Sequence, residues 1–222
     1  MEKQTFLLMR SSRRTLAIEI TPDASLVVRA PRRLPLKDIQ RFIASRENWI
    51  EQKQAEALAR PKPTAKQYVD GETFMLMGKM CFLRLVDFDS AEVDFDGRLL
   101  LARKALPHAH EALTKWYRKQ ARLIFAERVK KFGLIMNCHP AGIRITSPGR
   151  RWGSCGVTNS LNFNWRLIMA PPEILNYVVV HEIAHITHKN HGSEFWKRVE
   201  TFIPDHHIAR RWLRENGHLL EV

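Results

Sequence analysis

Four of the chain's ten histidines fall within eleven residues, in the segment Val178-Val-Val-His-Glu-Ile-Ala-His-Ile-Thr-His-Lys-Asn-His191. His181, Glu182 and His185 form an H-E-x-x-H pattern. On a helix, residues four apart share a face and lie about 6 Å apart along the axis. Two imidazoles so spaced can both reach one metal ion, at about 2.0–2.1 Å for zinc. Glu182, next to the first of them, is placed to take a proton from a water that the metal activates. The residue types therefore point to hydrolysis with Zn2+ as cofactor.

A catalytic zinc takes three protein ligands and keeps one position open. His188, His191, His206, His207 or an acidic residue downstream could supply the third. His188, seven residues after His181, would lie about 10.5 Å along a continuing helix, with His185 between the two, and such a line cannot close a compact site. His191 would lie about 15 Å along and becomes a ligand only if the helix breaks before it. Lys189-Asn190, with Gly192 close by, permits that break, since Asn and Gly tolerate left-handed backbone. The resulting H-x3-H-x5-H spacing matches the first three ligands of metzincin proteases, although His188 stands where those have glycine. We select His191, and read His188 as a supporting or surface residue. His206 and His207 read as the start of a helix near Asp205.

The motif must be held by a helix, and Pro171-Pro172 opens one, with proline in the first turn. Two shorter helices follow, Ser193 to about Phe202 and roughly Asp205 to Glu215. Before the motif, Ile143–Thr146 reads as a short strand, and Leu161-Asn-Phe-Asn-Trp-Arg-Leu167 alternates as a half-buried strand should. Asn162 and Asn164 then share one face, either to hold polar groups of a substrate or simply to meet solvent. Ala109–Phe132 reads as a helix with a basic face (Lys115, Arg118, Lys119, Arg122). Its core face is expected to be Leu113, Trp116, Leu123, Ile124 and Val129, with Gly133 as carboxyl cap.

Further upstream, Thr15–Ile20 and Ser25–Ala30 read as a hairpin about Thr21-Pro-Asp-Ala24. Leu36–Ala59 reads as one helix, ended by Arg60-Pro-Lys-Pro63. Short strands broken by Gly71, Gly78 and the hairpin signal Asp96-Gly97 occupy 68–101. The expected fold class is α+β. A mainly β amino-terminal region with one helix (1–107) precedes a zinc hydrolase domain (108–222), and the boundary is set at Leu106-Pro107.

Composition narrows the partners. Hydrophobic residues make up 45% and charged residues 27%, as in a globular protein, and no apolar run approaches the roughly 18 residues of a membrane span. The chain opens polar, with no signal-type stretch, and its three cysteines are odd in number and form no C-x-x-C pair. A cytoplasmic, reducing setting is expected, with no membrane partner. The net charge of +13 divides as +5 over 1–107 and +8 over 108–222. Such charge suits an anionic nucleotide or weak nucleic-acid binding through a basic surface, and equally a solvated basic face.

With these residues in hand, the chain resembles the YgjP-like metallopeptidase family, relatives of the SprT-like zincins. The resemblance rests on Arg151-Trp-Gly-Ser-Cys155, on Leu161-Asn-Phe-Asn-Trp-Arg-Leu-Ile-Met-Ala-Pro-Pro172, on Val178–His185, and on Asn190-His191 followed by Phe195-Trp196. Weaker similarity runs through the amino-terminal hairpin and Trp49-Ile50. The resemblance implies a compact zincin-like core with the metal on His181, His185 and His191 and Glu182 as catalytic base. Gly192 stands where relatives often carry serine, which bears only on the turn.

In the W-G-S-C block, Cys155 could be a fourth ligand, a redox brake or a nucleophile; the preferred reading is a tight turn that packs Trp152 beside the site and buries Cys155. Arg151, Trp152, Asn162 and Asn164 are the candidate substrate contacts. The leading expectation is a zinc-dependent peptidase acting on a peptide or protein that lies beside an edge strand. The alternatives are a phosphoanhydride hydrolase of nucleoside triphosphates, motivated by Arg150, Arg151 and Arg166, and a DNA-associated zinc module.

Overall fold

The computed structural model describes residues 5–21, 23–59, 64–87, 90–149 and 151–222. Pro22, the Arg60–Pro63 stop signal and Arg150 lie outside them. The fold is α+β, and the chain divides into two compact units, 1–62 and 63–222. Residues 63–107 therefore belong to the same unit as 108–222.

The first unit holds β1 (Phe6–Ser11), β2 (Ala17–Ile20) and β3 (Leu26–Pro31), followed by α1 (Leu36–Ala44) and α2 (Glu47–Ala59). The expected hairpin is present as the antiparallel pair β2–β3, and β1 adds to the other side of β3 in parallel. Leu26, Val28, Ala30, Ile39, Ile43 and Ile50 form its core. The single helix expected over 36–59 is two. At the break the Ser45 hydroxyl donates to the Phe42 carbonyl at 2.8 Å, a local bond that competes with helix continuation.

In the second unit, β4 (Thr73–Leu76), β5 (Lys79–Val86), β6 (Val93–Phe95) and β7 (Leu99–Ala102) form a sheet ordered β4-β5-β7-β6. The Asp96-Gly97 hairpin joins β6 to β7. The β4–β5 turn has positive φ at both Met77 and Gly78, as a two-residue hairpin favours. A side chain at Gly78 would meet Pro171 Cα at 2.9 Å. With the Met77 and Gly78 amides donating to the Ile168 and Met169 carbonyls, the hairpin tip holds the chain just before the motif helix.

The long helix α3 runs from Ala109 to Ile135. Its buried stripe is Leu113, Tyr117, Ala121, Phe125, Val129 and Phe132, at spacings of three and four. Leu123 lies off that stripe and is 58% exposed, so it is not a core residue. Gly133 does not cap the helix, which continues past it. Instead the returning chain crosses close by, where a side chain would meet the Cys138 carbonyl oxygen at 3.0 Å.

A second sheet, ordered β8-β10-β9, comprises β8 (Gly142–Thr146), β9 (Gly153–Cys155) and β10 (Ser160–Asn164). The strand expected over 161–167 ends at Asn164. There the side chain accepts the Arg166 amide at 3.1 Å and starts a short 3-10 turn, Trp165–Met169. The motif helix α4 (Pro172–Thr187) packs on α3, and α5 (Ser193–Phe202) and α6 (His206–Asn216) pack on α4. No helix among the described residues is long and apolar enough to cross a membrane.

Candidate metal centre

Helix α4 is apolar nearly all round; Ile174, Leu175, Val178, Val179, Val180, Ile183 and Ala184 are buried. A helix of that kind belongs inside a protein, and polar side chains on it need partners. His181 and His185 project from it one turn apart, with ring centroids 5.0 Å apart. The helix stops at Thr187 because His188 turns extended (φ −126°, ψ 96°). That is earlier than the break expected at Lys189-Asn190, and neither Asn190 nor Gly192 takes up left-handed backbone. The extended step returns His191 over the helix end. Its Nε2 lies 3.1 Å from His181 Nε2 and 3.1 Å from His185 Nε2.

The three imidazoles fit a metal ion: one ligand atom from each lies within 4.8 Å of the others. Their tautomers agree with that use. His185 Nδ1 lies 3.0 Å from the His188 carbonyl, so Nδ1 carries the proton and Nε2 keeps its lone pair. His181 Nδ1 lies 3.4 Å from the Tyr177 hydroxyl, a longer contact of the same sense. Burial, with the neighbouring His185 and His191, lowers the His181 pKa to about 3, and burial likewise lowers that of His185. His181 is thus neutral across the ordinary pH range, and burial shifts His185 in the same direction, toward the neutral form that ligation requires. Phe195, buried, sits under all three rings at centroid distances of 4.9, 4.5 and 4.8 Å.

Glu182 is only 5% exposed. Its Oε2 is buried without a hydrogen-bond partner among the described residues. Such an atom marks a place where water, a cation or a reacting group belongs. Burial raises its pKa to about 8, against the opposing charge of Arg151. Room for the carboxyl group comes from Gly153, where a side-chain carbon would fall 2.5 Å from Glu182 Oε1 and 2.7 Å from Cγ.

The W-G-S-C block is consequently an edge strand rather than a tight turn. Gly153, Ser154 and Cys155 pair with Phe163, Asn162 and Leu161. The flanking bonds run from the Asn164 amide to the Trp152 carbonyl and from the Gly156 amide to the Ser160 carbonyl. By antiparallel alternation, Gly153 and Cys155 turn their amides and carbonyls to the open edge. Cys155 is half-buried, with its thiol pKa raised by burial, and stands outside the three-histidine group.

A cleft of about 400 Å³ is lined by Arg151, Trp152, Gly153, Tyr177, His181, Glu182 and Arg210, among others. Arg151 and Trp152 therefore reach the site. Asn162 lines a smaller cavity beyond Gly153, of about 160 Å³, and its amide donates to Ser154. Asn164 is buried and its side chain is engaged by the Pro148 carbonyl and the Arg166 amide. His188 contributes its carbonyl, and its ring Nδ1 lies 2.8 Å from the Thr187 hydroxyl. His206 opens α6, as expected, and also stacks on Trp196 at 5.2 Å. Sequence reasoning missed Tyr177, Phe195, Gly153 as the cradle of Glu182, and Arg210. The Tyr177 position four residues before His181 was the available signal, since it shares that histidine's helix face.

A buried H-E-x-x-H helix with a third imidazole returned over its end, set in an α+β unit, points to the metallohydrolase class. Within it, the chain belongs to the YgjP-like family: the model of the YgjP-like metallopeptidase domain matches residues 14–216. Among solved structures, the chain is similar to the metallopeptidase zymogen of Pyrococcus abyssi abylysin, with 17% identity and a TM-score of 0.39 over 42% of this chain and 95% of that one. No curated protein matches the chain significantly.

Proposed function

We propose that the chain is a zinc-dependent metallopeptidase in which His181, His185 and His191 hold the metal and Glu182 is the general base. The observation that carries this reading is the meeting of three imidazole Nε2 atoms at a cleft that His181 shares with Glu182, whose buried carboxyl oxygen has no partner among the described residues. Zinc, when bound, supplies a Lewis acid for the scissile carbonyl and lowers the pKa of water to about 7.

Glu182 takes the proton of the attacking water and hands it to the leaving amine nitrogen. Burial favours its protonated form near neutrality, and a neighbouring cation favours the carboxylate. Uptake and release of a proton at this group therefore lie close in energy. The Tyr177 hydroxyl keeps its proton, its pKa pushed up to about 12 by burial, and orients His181 through Nδ1. Phe195 keeps water from beneath the imidazoles. The open edge of β9 offers the amides and carbonyls of Gly153 and Cys155 to the backbone of an extended peptide, as in strand addition.

The test is Glu182→Gln in zinc-loaded protein. Metal content is expected to stay at one ion per chain, while peptide turnover falls by about 10²–10⁴-fold. Undiminished turnover would overturn the assignment. Phosphate release from nucleoside triphosphates without peptide cleavage, or DNA binding with a steep salt dependence and no hydrolysis, would favour the two other readings.

A further inference from the structure

Charge in the cleft is one-sided. Its lining holds three arginines, Arg151, Arg210 and Arg214, and one acidic residue, Glu182, which is buried. Arg214 pairs with its neighbour Glu215 at 3.4 Å. Arg151 and Arg210 are exposed and form no ion pair among the described residues. Apart from the buried Glu182 carboxyl, whose charge Arg151 opposes, the cleft lining offers Arg151 and Arg210 no acidic partner.

Arg210 is held by stacking, and Arg151 is placed by the packing of its neighbour Trp152. The Arg210 guanidinium lies 4.5 Å over the Trp196 ring, and Trp196 in turn stacks on His206. That stacking leaves the planar edge of the guanidinium free for a bidentate acceptor. Arg151 precedes Trp152, whose ring is packed so closely on Gly217 that a side-chain carbon there would lie 2.5 Å away. Arg151 also lines the smaller cavity with Thr146, Ser154 and Asn162, so it stands between two hollows on either side of Gly153. A peptide laid along the open edge of β9 would send successive side chains to opposite sides, and so toward these hollows.

Resting on the peptidase reading, we infer that the cleft selects peptides bearing a carboxylate beside the bond to be cut, held by Arg151 and Arg210. The carboxylate is that of an aspartate or glutamate side chain or of a free chain end. Guanidinium forks match either, and the pairing is charge-assisted.

The test measures binding apart from turnover. Zinc-loaded full-length Glu182→Gln protein is titrated with four fluorescent peptides: acidic with a blocked end, neutral with a free carboxyl end, neutral and blocked, and lysine-bearing and blocked. The expected Kd for at least one carboxylate-bearing peptide is about tenfold below that of the neutral blocked one. The better of the first two identifies the source of the carboxylate. Added to that protein, Arg151→Gln and Arg210→Gln each shrink the ratio, and Arg210→Glu turns the preference toward the lysine-bearing peptide, with zinc content unchanged throughout. Equal Kd values for all four peptides overturn the inference. Wild-type turnover of the same peptides separates the two claims. Cleavage of all four with equal kcat/KM keeps the peptidase and removes the selectivity. Selective binding without any cleavage keeps the carboxylate site and removes the peptidase.

Discussion

Helices α3 and α4 pack against each other and divide the work of the second unit between them. In α3, a stripe of buried residues faces inward and Lys115, Lys119, Arg122 and Leu123 face out. In α4, burial extends around the helix, and its polar side chains within the second half are those of the histidine motif and Thr187. Lys115, Lys119 and Arg122 on α3 are thus explained by solvent, whereas the histidine motif on α4 is not. A motif is informative when the helix carrying it has no other reason to be polar.

That contrast can be broken or sharpened by substitution. The largest effect is expected at Phe195, buried under the three imidazoles. Phe195→Ala should lower stability by about 3–5 kcal/mol and weaken zinc binding, read by urea denaturation and zinc titration. Unaltered zinc affinity would remove Phe195 from the site.

Gly153→Ala comes next. A methyl group there enters the space of the Glu182 carboxyl, and overpacking of this kind should lower stability by about 1–3 kcal/mol and depress turnover more than KM. Normal kcat would show that Glu182 does not depend on this cradle.

The third prediction concerns pH in metal-free protein. Glu182 in the fold keeps its proton up to about pH 8, while the unfolded chain releases it near 4.5. Stability is therefore present below 4.5 and is lost as pH rises through the folded value. His181 acts oppositely, with its folded pKa lowered to about 3 from 6.5, so its contribution is complete above pH 6.5. Between pH 6.5 and 8, Glu182 should dominate, with a fall of about 2 kcal/mol that Glu182→Gln flattens. An equally steep fall in the variant would place its origin elsewhere. The smallest effect belongs to α3, where Leu123→Lys should change stability by no more than about 0.5 kcal/mol in the same denaturation experiment.

Much of the site was legible because it is local. The H-E-x-x-H spacing lies on one helix face, and the impossibility of reaching His191 along a continuous helix forced a break. How the break is made was not legible, since His188 ends α4 with ordinary extended backbone rather than a left-handed residue. Gly153 and Glu182 are far apart in the chain, and nothing in either neighbourhood announces their contact. The parallel pairings of β1 with β3, β5 with β7 and β8 with β10 escaped for the same reason, being set by long-range packing. At Asn164, a side-chain cap overrode a strand pattern that alternation alone would have continued.

The central claim is the three-imidazole centre, and X-ray absorption on zinc-loaded protein tests it most directly. The account predicts three nitrogen scatterers with imidazole signatures at about 2.0–2.1 Å, an added oxygen and no sulfur, with one imidazole lost in His191→Ala. A sulfur scatterer, which would bring Cys155 into the shell, or an unchanged spectrum in His191→Ala, would contradict it.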